Sequence, residues 1–168
     1  MFHMPNGTLA AIFVADRAGD APIRIEEALL IPERGIEGDR YFAGVGSFSR
    51  WPGSGRDITL IEQETIDAVL REHGIDLSAG QSRRNLVTLG VRLADLDGQF
   101  FRIGAALLHG ARECAPCQYL ERLVPGSFEA LKGRGGLRAE IIEEGPVRVG
   151  DEITRGRELA KLQSIRPG

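Results

Sequence analysis

The run Asp97-Gly-Gln-Phe-Phe-Arg-Ile-Gly-Ala-Ala-Leu-Leu-His109 decides the fold class. Asp97-Gly98 is a hairpin-type turn, and it precedes two apolar runs, Gln99 to Ile103 and Ala105 to His109, that read as a strand pair. The same pattern continues in both directions along the chain. Twenty-two glycines cut the sequence into short apolar segments, as in a β-rich domain with tight turns. Leu9 to Val14, Arg24 to Ile31, Asp57 to Ile61 and Asn85 to Leu89 read as strands. Leu137 to Ile142 and Val147 to Ile153 read as a closing β-ribbon joined through Gly145-Pro146. One full helix follows the Asp57 strand. It carries Ile66, Val69 and Leu70 at i, i+3, i+4, opens on Thr59-x-x-Glu62 as a capping box, and stops at Gly74. Tyr119 to Val124 and Phe128 to Leu131 predict short helices broken at Pro125-Gly126. Strands do not alternate regularly with helices, so a mainly β, mostly antiparallel barrel with a few inserted short helices is expected rather than a doubly wound sheet. Residues 1–156 read as a single domain of this kind, residues 157–168 as a C-terminal tail, and Gly44 to Gly55, with four glycines, as a loop.

A chain of 168 residues is long enough for one domain, which at this size buries roughly 70% of its unfolded surface. The net charge of -3 and the lack of a lysine-rich face or tail argue against a general nucleic-acid partner. Lys132 and Lys161 are the only lysines, so the basic residues are almost all arginine. The planar guanidinium fork suits phosphate and carboxylate, and the skew is compatible with binding a small anion; a coding bias gives the same skew. No apolar run has the length of a membrane span, and the first residues lack the basic start and apolar core of a secretory signal. Two cysteines spaced C-x-x-C are too few for a secreted disulfide framework. A reduced, cytoplasmic protein without a membrane partner is expected.

Directly after the central strand pair comes Arg112-Glu-Cys-Ala-Pro-Cys117, which holds both cysteines. Thiolate is the soft nucleophile and soft metal ligand among side chains, although a pair of inert thiols accounts for the same residues. A structural zinc needs four ligands and C-x-x-C supplies two, with His109 the only nearby histidine and better read as a partly buried structural residue. A thioredoxin-type dithiol would place Cys114 near a helix N-terminus, but that motif normally follows a strand of a βαβ unit. Three further segments concentrate arginine. Gly35-Ile-Glu-Gly-Asp-Arg-Tyr41 packs two glycines, Asp39 and Arg40 into one turn, where Asp39 could hold the Arg40 guanidinium. Arg56-Asp57 precedes one strand and Arg83-Arg-Asn85 another. Each is equally accounted for by a plain turn or a solvated strand end. Gly133-Arg-Gly-Gly-Leu-Arg138 lacks both the strand–GxxxxGK[ST]–helix context of a P-loop and the spacing of a dinucleotide fingerprint.

Taken in order, these pieces resemble the MOSC domain, the family of molybdenum cofactor sulfurase C-terminal domains, and in particular its small stand-alone bacterial members. The resemblance rests on G-I-E-G-D-R-Y at 35–41, R-D-I-T-L-I-E at 56–62, R-R-N-L-V-T-L-G at 83–90 and L-x-G-x-x-F-x-I-G ending at Gly104. It continues through P-C at 116–117, G-R-G-G-L-R-A at 133–139 and V-x-V-G-D-E-I at 147–153. It implies a MOSC-type β-barrel and a cysteine that binds sulfur or the molybdenum of a pterin cofactor. By motif that cysteine is Cys117, the catalytic thiol and metal ligand, whereas Cys114 is not a general feature of the family. The resemblance also implies that Arg40, Arg56, Arg83 and Asn85 bind the molybdenum cofactor (molybdopterin), with the arginines on its phosphate and pterin groups. The expected activity is reduction of N-hydroxylated or N-oxygenated small molecules, with electrons from a partner protein. A persulfide sulfur carrier on Cys117, loaded by a sulfur donor, and a non-catalytic cofactor-binding module are the alternatives. If these residues serve one cofactor, the barrel must gather them around one cleft with Cys117 at its floor.

Overall fold

Apolar residues on the central strands have two destinations, and this sets the architecture. The computed structural model describes residues 7–17, 19–39 and 57–155. Arg40, Arg56, the loop Gly44 to Gly55 and the tail 157–168 lie outside the described residues. β1 (Thr8–Val14) sends Leu9, Ile12 and Val14 into one core and Ala11 and Phe13 into a second. A register shift between Leu9 and Ala11 puts Leu9 and Ile12 on the same face although they are three residues apart. β5 (Ile58–Glu62) and β6 (Leu86–Leu89) divide likewise: Ile58, Leu60 and Leu86 face the first core, Ile61 and Val87 the second. The second core is closed by Ile66 and Val69 of α1 (Gln63–His73), Leu120 of α2 (Gln118–Leu123) and Ala130 of α3 (Ser127–Ala130).

The large sheet has the order β11 (Ile153–Thr154), β7 (Phe100–Ile103), β8 (Ala106–Glu113), β9 (Leu137–Glu143), β5, β6, β1, β2 (Ile23–Ile25). A smaller sheet runs β10 (Gly145–Arg148), β3 (Glu27–Ile31), β4 (Gly35–Ile36). Every ladder is antiparallel except β5–β6, which is parallel because α1 carries the chain back between them. The ladder is not continuous all the way round. The two sides nevertheless meet: the Leu9 N–H donates to Asp151 O at 2.9 Å, the Ile153 N–H to Gly7 O at 2.7 Å, and Thr8 bridges Glu152. The expectation of a mainly β fold with a few short helices holds. Among the described residues no helix is long and apolar enough to cross a membrane.

Three local expectations are corrected. The run Arg24 to Ile31 breaks at Glu26 into β2 and β3, which belong to different sheets. The closing ribbon does not form, because β10 pairs with β3 and β11 with β7. Only Glu144 separates β9 from β10, too short a link for a hairpin, so the chain continues into the second sheet instead of folding back. The Thr59 capping box is also absent: Thr59 lies inside β5, and Glu62 begins α1 with no side-chain cap. The helix end at Gly74 is as expected, with φ 68° and its N–H donating to Leu70 O at 2.9 Å.

Candidate functional site

β8 extends to Glu113, so the first cysteine comes straight off a paired strand. The Cys114 N–H donates to Gly136 O at 2.8 Å, and the residue is only 1% exposed. Cys117 is exposed, and both thiols are free. Cys117 has extended backbone and is the N-cap of α2, its Sγ accepting the Leu120 N–H at 3.4 Å. The two cysteines therefore occupy separate environments, one inside the wall and one at the surface. α2 is fixed from below by buried Leu120 and from its far end by Glu121. The Glu121 carboxylate accepts the Gly126 and Phe128 N–H groups, each at 2.9 Å, and the Phe128 bond is the main cause that holds its carboxyl below the usual range.

The Arg83-Arg-Asn85 segment reaches the same loop. Arg83 has φ 64°, a left-handed backbone, and its guanidinium donates to Asp20 O at 2.6 Å. Its Cζ also sits 5.7 Å from the centre of the Tyr119 ring, two residues beyond Cys117. Arg84 points the other way. It is 6% exposed, and its guanidinium donates from Nε to Gly135 O at 2.9 Å and from Nη2 to Ala115 O at 3.4 Å. Asn85 is committed on all sides to the strands: Oδ1 accepts from Thr59 N at 3.2 Å and Thr59 Oγ1 at 3.1 Å, and Nδ2 donates to Phe13 O at 3.3 Å. Its placement ties β1, β5 and β6 together, whereas Arg83 lies toward Cys117.

The Gly133–Gly136 turn completes the surroundings. A Cβ on Gly135 would collide with Cys114 O, and one on Gly136, whose φ is 113°, with Leu60 O. Both positions therefore require glycine, because backbone passes directly against backbone there. On the other side of this turn a cavity of about 320 Å³ opens between Glu62, Arg92, Glu113 and Arg134. Arg134 is tied to Glu72 at 2.7 Å and to Ala130 O at 2.9 Å. Burial pushes the Glu62 carboxyl up, against the Leu93 N–H that it accepts at 3.4 Å. Neither Cys117 nor Arg83 lines this cavity.

The remaining residues singled out by sequence are structural where they are described. Asp39 is buried and accepts the Ala15 N–H at 2.9 Å, which holds the residues just after β4 against the end of β1. Asp57 accepts the Ile141 N–H at 2.8 Å and the Glu33 N–H at 3.3 Å through one oxygen, and burial is the main cause that raises its carboxyl. His109 packs against Phe100 with ring centres 4.7 Å apart and the planes tilted by 52°, and its Nδ1 lies 3.7 Å from Glu140. Reading the sequence passed over Arg84 and Tyr119. The signal for Arg84 was present in part, since two adjacent like charges just before a strand are easiest to accommodate when their side chains take different partners.

An exposed thiol at the head of a helix, with the Arg83 guanidinium against Tyr119 of that helix, has a definite chemistry. It offers one soft sulfur to a metal, and Arg83 offers a planar donor set to an anionic arm of the same ligand. A soft metal with one open ligand position is the kind of group that such a thiolate accepts.

The family model for the MOSC domain matches residues 49–154. Among solved structures, the YuaD protein from Bacillus subtilis superposes with a TM-score of 0.73 at 18% identity, covering 91% of this chain and 97% of that one. YiiM from Geobacillus stearothermophilus gives 0.68 at 17% identity, over 95% of this chain and 83% of that one. YiiM from Escherichia coli gives 0.60 at 20% identity, over 97% and 78%. Among curated protein sequences none matches the chain.

Proposed function

We propose, for a chain that belongs to the MOSC domain family, that Cys117 is the protein ligand of a molybdenum cofactor and that the protein reduces N-hydroxylated or N-oxygenated small molecules. The observation that carries this reading is the separation of the two thiols: Cys117 is exposed at the head of α2, and Cys114 is buried in the wall. When bound, the cofactor supplies two-electron chemistry, so that an N–OH substrate takes up two electrons and two protons, its N–O bond breaks, and the amine or amidine and one water leave. The chain's own part is to bind and orient. Cys117 holds the metal, its position fixed by the Leu120 N–H. Arg83, turned toward α2 and braced on Asp20 O, is placed to hold an anionic arm of the cofactor. Arg40 and Arg56 join it by motif. We assign Asn85 a supporting part, since its side chain is already bonded to Thr59 and Phe13. Electrons come from a partner protein in the cytoplasm, as the sequence carries no flavin, haem or iron–sulfur motif.

Replacement of the thiol tests this. Cys117→Ser, purified from a host that makes the cofactor, is expected to lose at least ten-fold in bound molybdopterin and in reduction of benzamidoxime by reduced methyl viologen. Cys114→Ser keeps most of both. Wild-type cofactor content and turnover in Cys117→Ser refute the assignment. An extra sulfur on Cys117 by intact-protein mass spectrometry, with no molybdenum bound, makes the protein a sulfur carrier instead, and cofactor without turnover makes it a binding module.

A further inference from the structure

Arg84 belongs to none of the roles above, and its setting is unusual for a charged side chain. It is only 6% exposed, and its guanidinium donates to backbone carbonyls on two loops that are remote in sequence. Buried arginines are rare unless their N–H groups find acceptors, and here carbonyl oxygens accept from Nε and Nη2. One carbonyl belongs to Gly135, in the turn whose neighbour Gly136 accepts the Cys114 N–H. The other belongs to Ala115, between the two cysteines.

We propose that Arg84 is the positioning residue of the Cys117 thiol: its guanidinium clamps Ala115 O to Gly135 O and so fixes the loop that delivers Cys117 to the head of α2. This rests on the reading of Cys117 as the functional thiol. The path from the clamp to that thiol is short and stiff. Only Pro116 stands between the held carbonyl and Cys117, and the proline ring locks φ near −65°. Beyond Cys117 the chain is held by the Leu120 N–H on Sγ and by buried Leu120. Upstream, the Cys114 N–H is held by Gly136 O, and Gly135 leaves no room for a Cβ against Cys114 O. The loop is pinned at both ends, and Arg84 alone pins its middle among the contacts described. A planar fork can reach two carbonyls at once, whereas an ammonium is a point donor that satisfies them less well. The same side chain therefore places the thiol and shields its buried neighbour.

The buried thiol gives a readout that needs no cofactor. In the full-length protein, Arg84→Met fills similar volume without the donors. Alkylation by iodoacetamide, resolved by peptide mass spectrometry well below the melting temperature, is expected to reach Cys114 at least ten-fold faster than in the wild type. In the cofactor-loaded protein, kcat for benzamidoxime is expected to fall at least ten-fold with KM within two-fold. A Cys114 rate within two-fold of wild type overturns the proposal, as does faster Cys114 alkylation with unchanged kcat, which would leave Arg84 a purely structural residue. If Arg84→Met does not fold, Arg84→Lys decides: at least three-fold faster Cys114 alkylation with a lowered kcat supports the clamp, and wild-type values of either refute it. Failure of the Cys117 reading shows separately, as full turnover in Cys117→Ser.

Discussion

Replacing Asn85 with alanine separates two roles that the sequence leaves merged. Motif places Asn85 at the cofactor, but the structure commits its side chain to Thr59 N, Thr59 Oγ1 and Phe13 O at 3.1–3.3 Å. The orientation of the amide is fixed by its partners, because a backbone N–H can only donate and so must face Oδ1. Asn85→Ala removes all three bonds and leaves partly buried groups on β1 and β5 without them. At about 1 kcal/mol net per bond, with an added penalty for groups left unsatisfied, the loss is about 2–4 kcal/mol. For a chain of this size that lowers the melting temperature by roughly 5–12 °C. Urea unfolding followed by far-UV circular dichroism measures the first figure and a thermal melt the second. Cofactor retention, measured well below the midpoint, should stay within about three-fold of wild type. A variant that unfolds like the wild type yet loses cofactor ten-fold would refute the reasoning, and Asn85 would then face the ligand.

Two further outcomes follow from single contacts. Gly135→Ala drives a methyl into Cys114 O, backbone against backbone, so the Cys loop must shift; a fall of several degrees in melting temperature and faster alkylation of Cys114 are expected, and a wild-type melt would show that the turn yields. Asp57 has a carboxyl raised chiefly by burial, so its contribution to stability is fully present below the unfolded value of about 3.8 and is lost as pH rises through the folded value. Asp57→Asn keeps an acceptor for Ile141 N–H and cannot ionise, so wild-type stability relative to this variant should fall as pH rises above about 3.8; a constant difference there would remove Asp57 from the pH dependence.

The fold was legible wherever a local pattern had one solution. Apolar runs punctuated by glycine located nearly all of the strands, and Gly74 ended α1 as its left-handed cap requires. What failed were pairings. A sequence gives each strand's faces but not its neighbours, so β10 seemed to fold back on β9 when the single intervening residue sends it to β3. The parallel β5–β6 pair was missed for a related reason: periodicity located α1, but not the return of the chain beside the strand it had left. Motif assigned Cys117 and Arg83 to one site; in the structure Cys117 caps α2 and the Arg83 guanidinium lies against Tyr119 of that helix. It could not separate Asn85, bonded within the sheet, from a ligand-facing amide, because the distinction lies in Thr59, 26 residues away.

Arg83 holds a left-handed backbone at φ 64°, a conformation that glycine adopts freely and that costs an L residue roughly 1 kcal/mol or more. The side chain belongs to neither apolar core: half-buried, it lies along Asp20 and Tyr119. Glycine would therefore relieve the backbone at no cost to the core, and the chain carries arginine instead. The strain has a geometric return. In a regular extended strand adjacent side chains alternate between the two faces of one sheet, but Arg83 and Arg84 serve different neighbours altogether. The left-handed residue turns the chain just before β6, so that Arg83 reaches outward to α2 while Arg84 passes inward to Ala115 O and Gly135 O. One charge is left against Tyr119 of α2, and the other is buried behind the loop that carries Cys117. This division explains why two like charges stand side by side: each is held by a different set of carbonyls, and their guanidinium groups point apart.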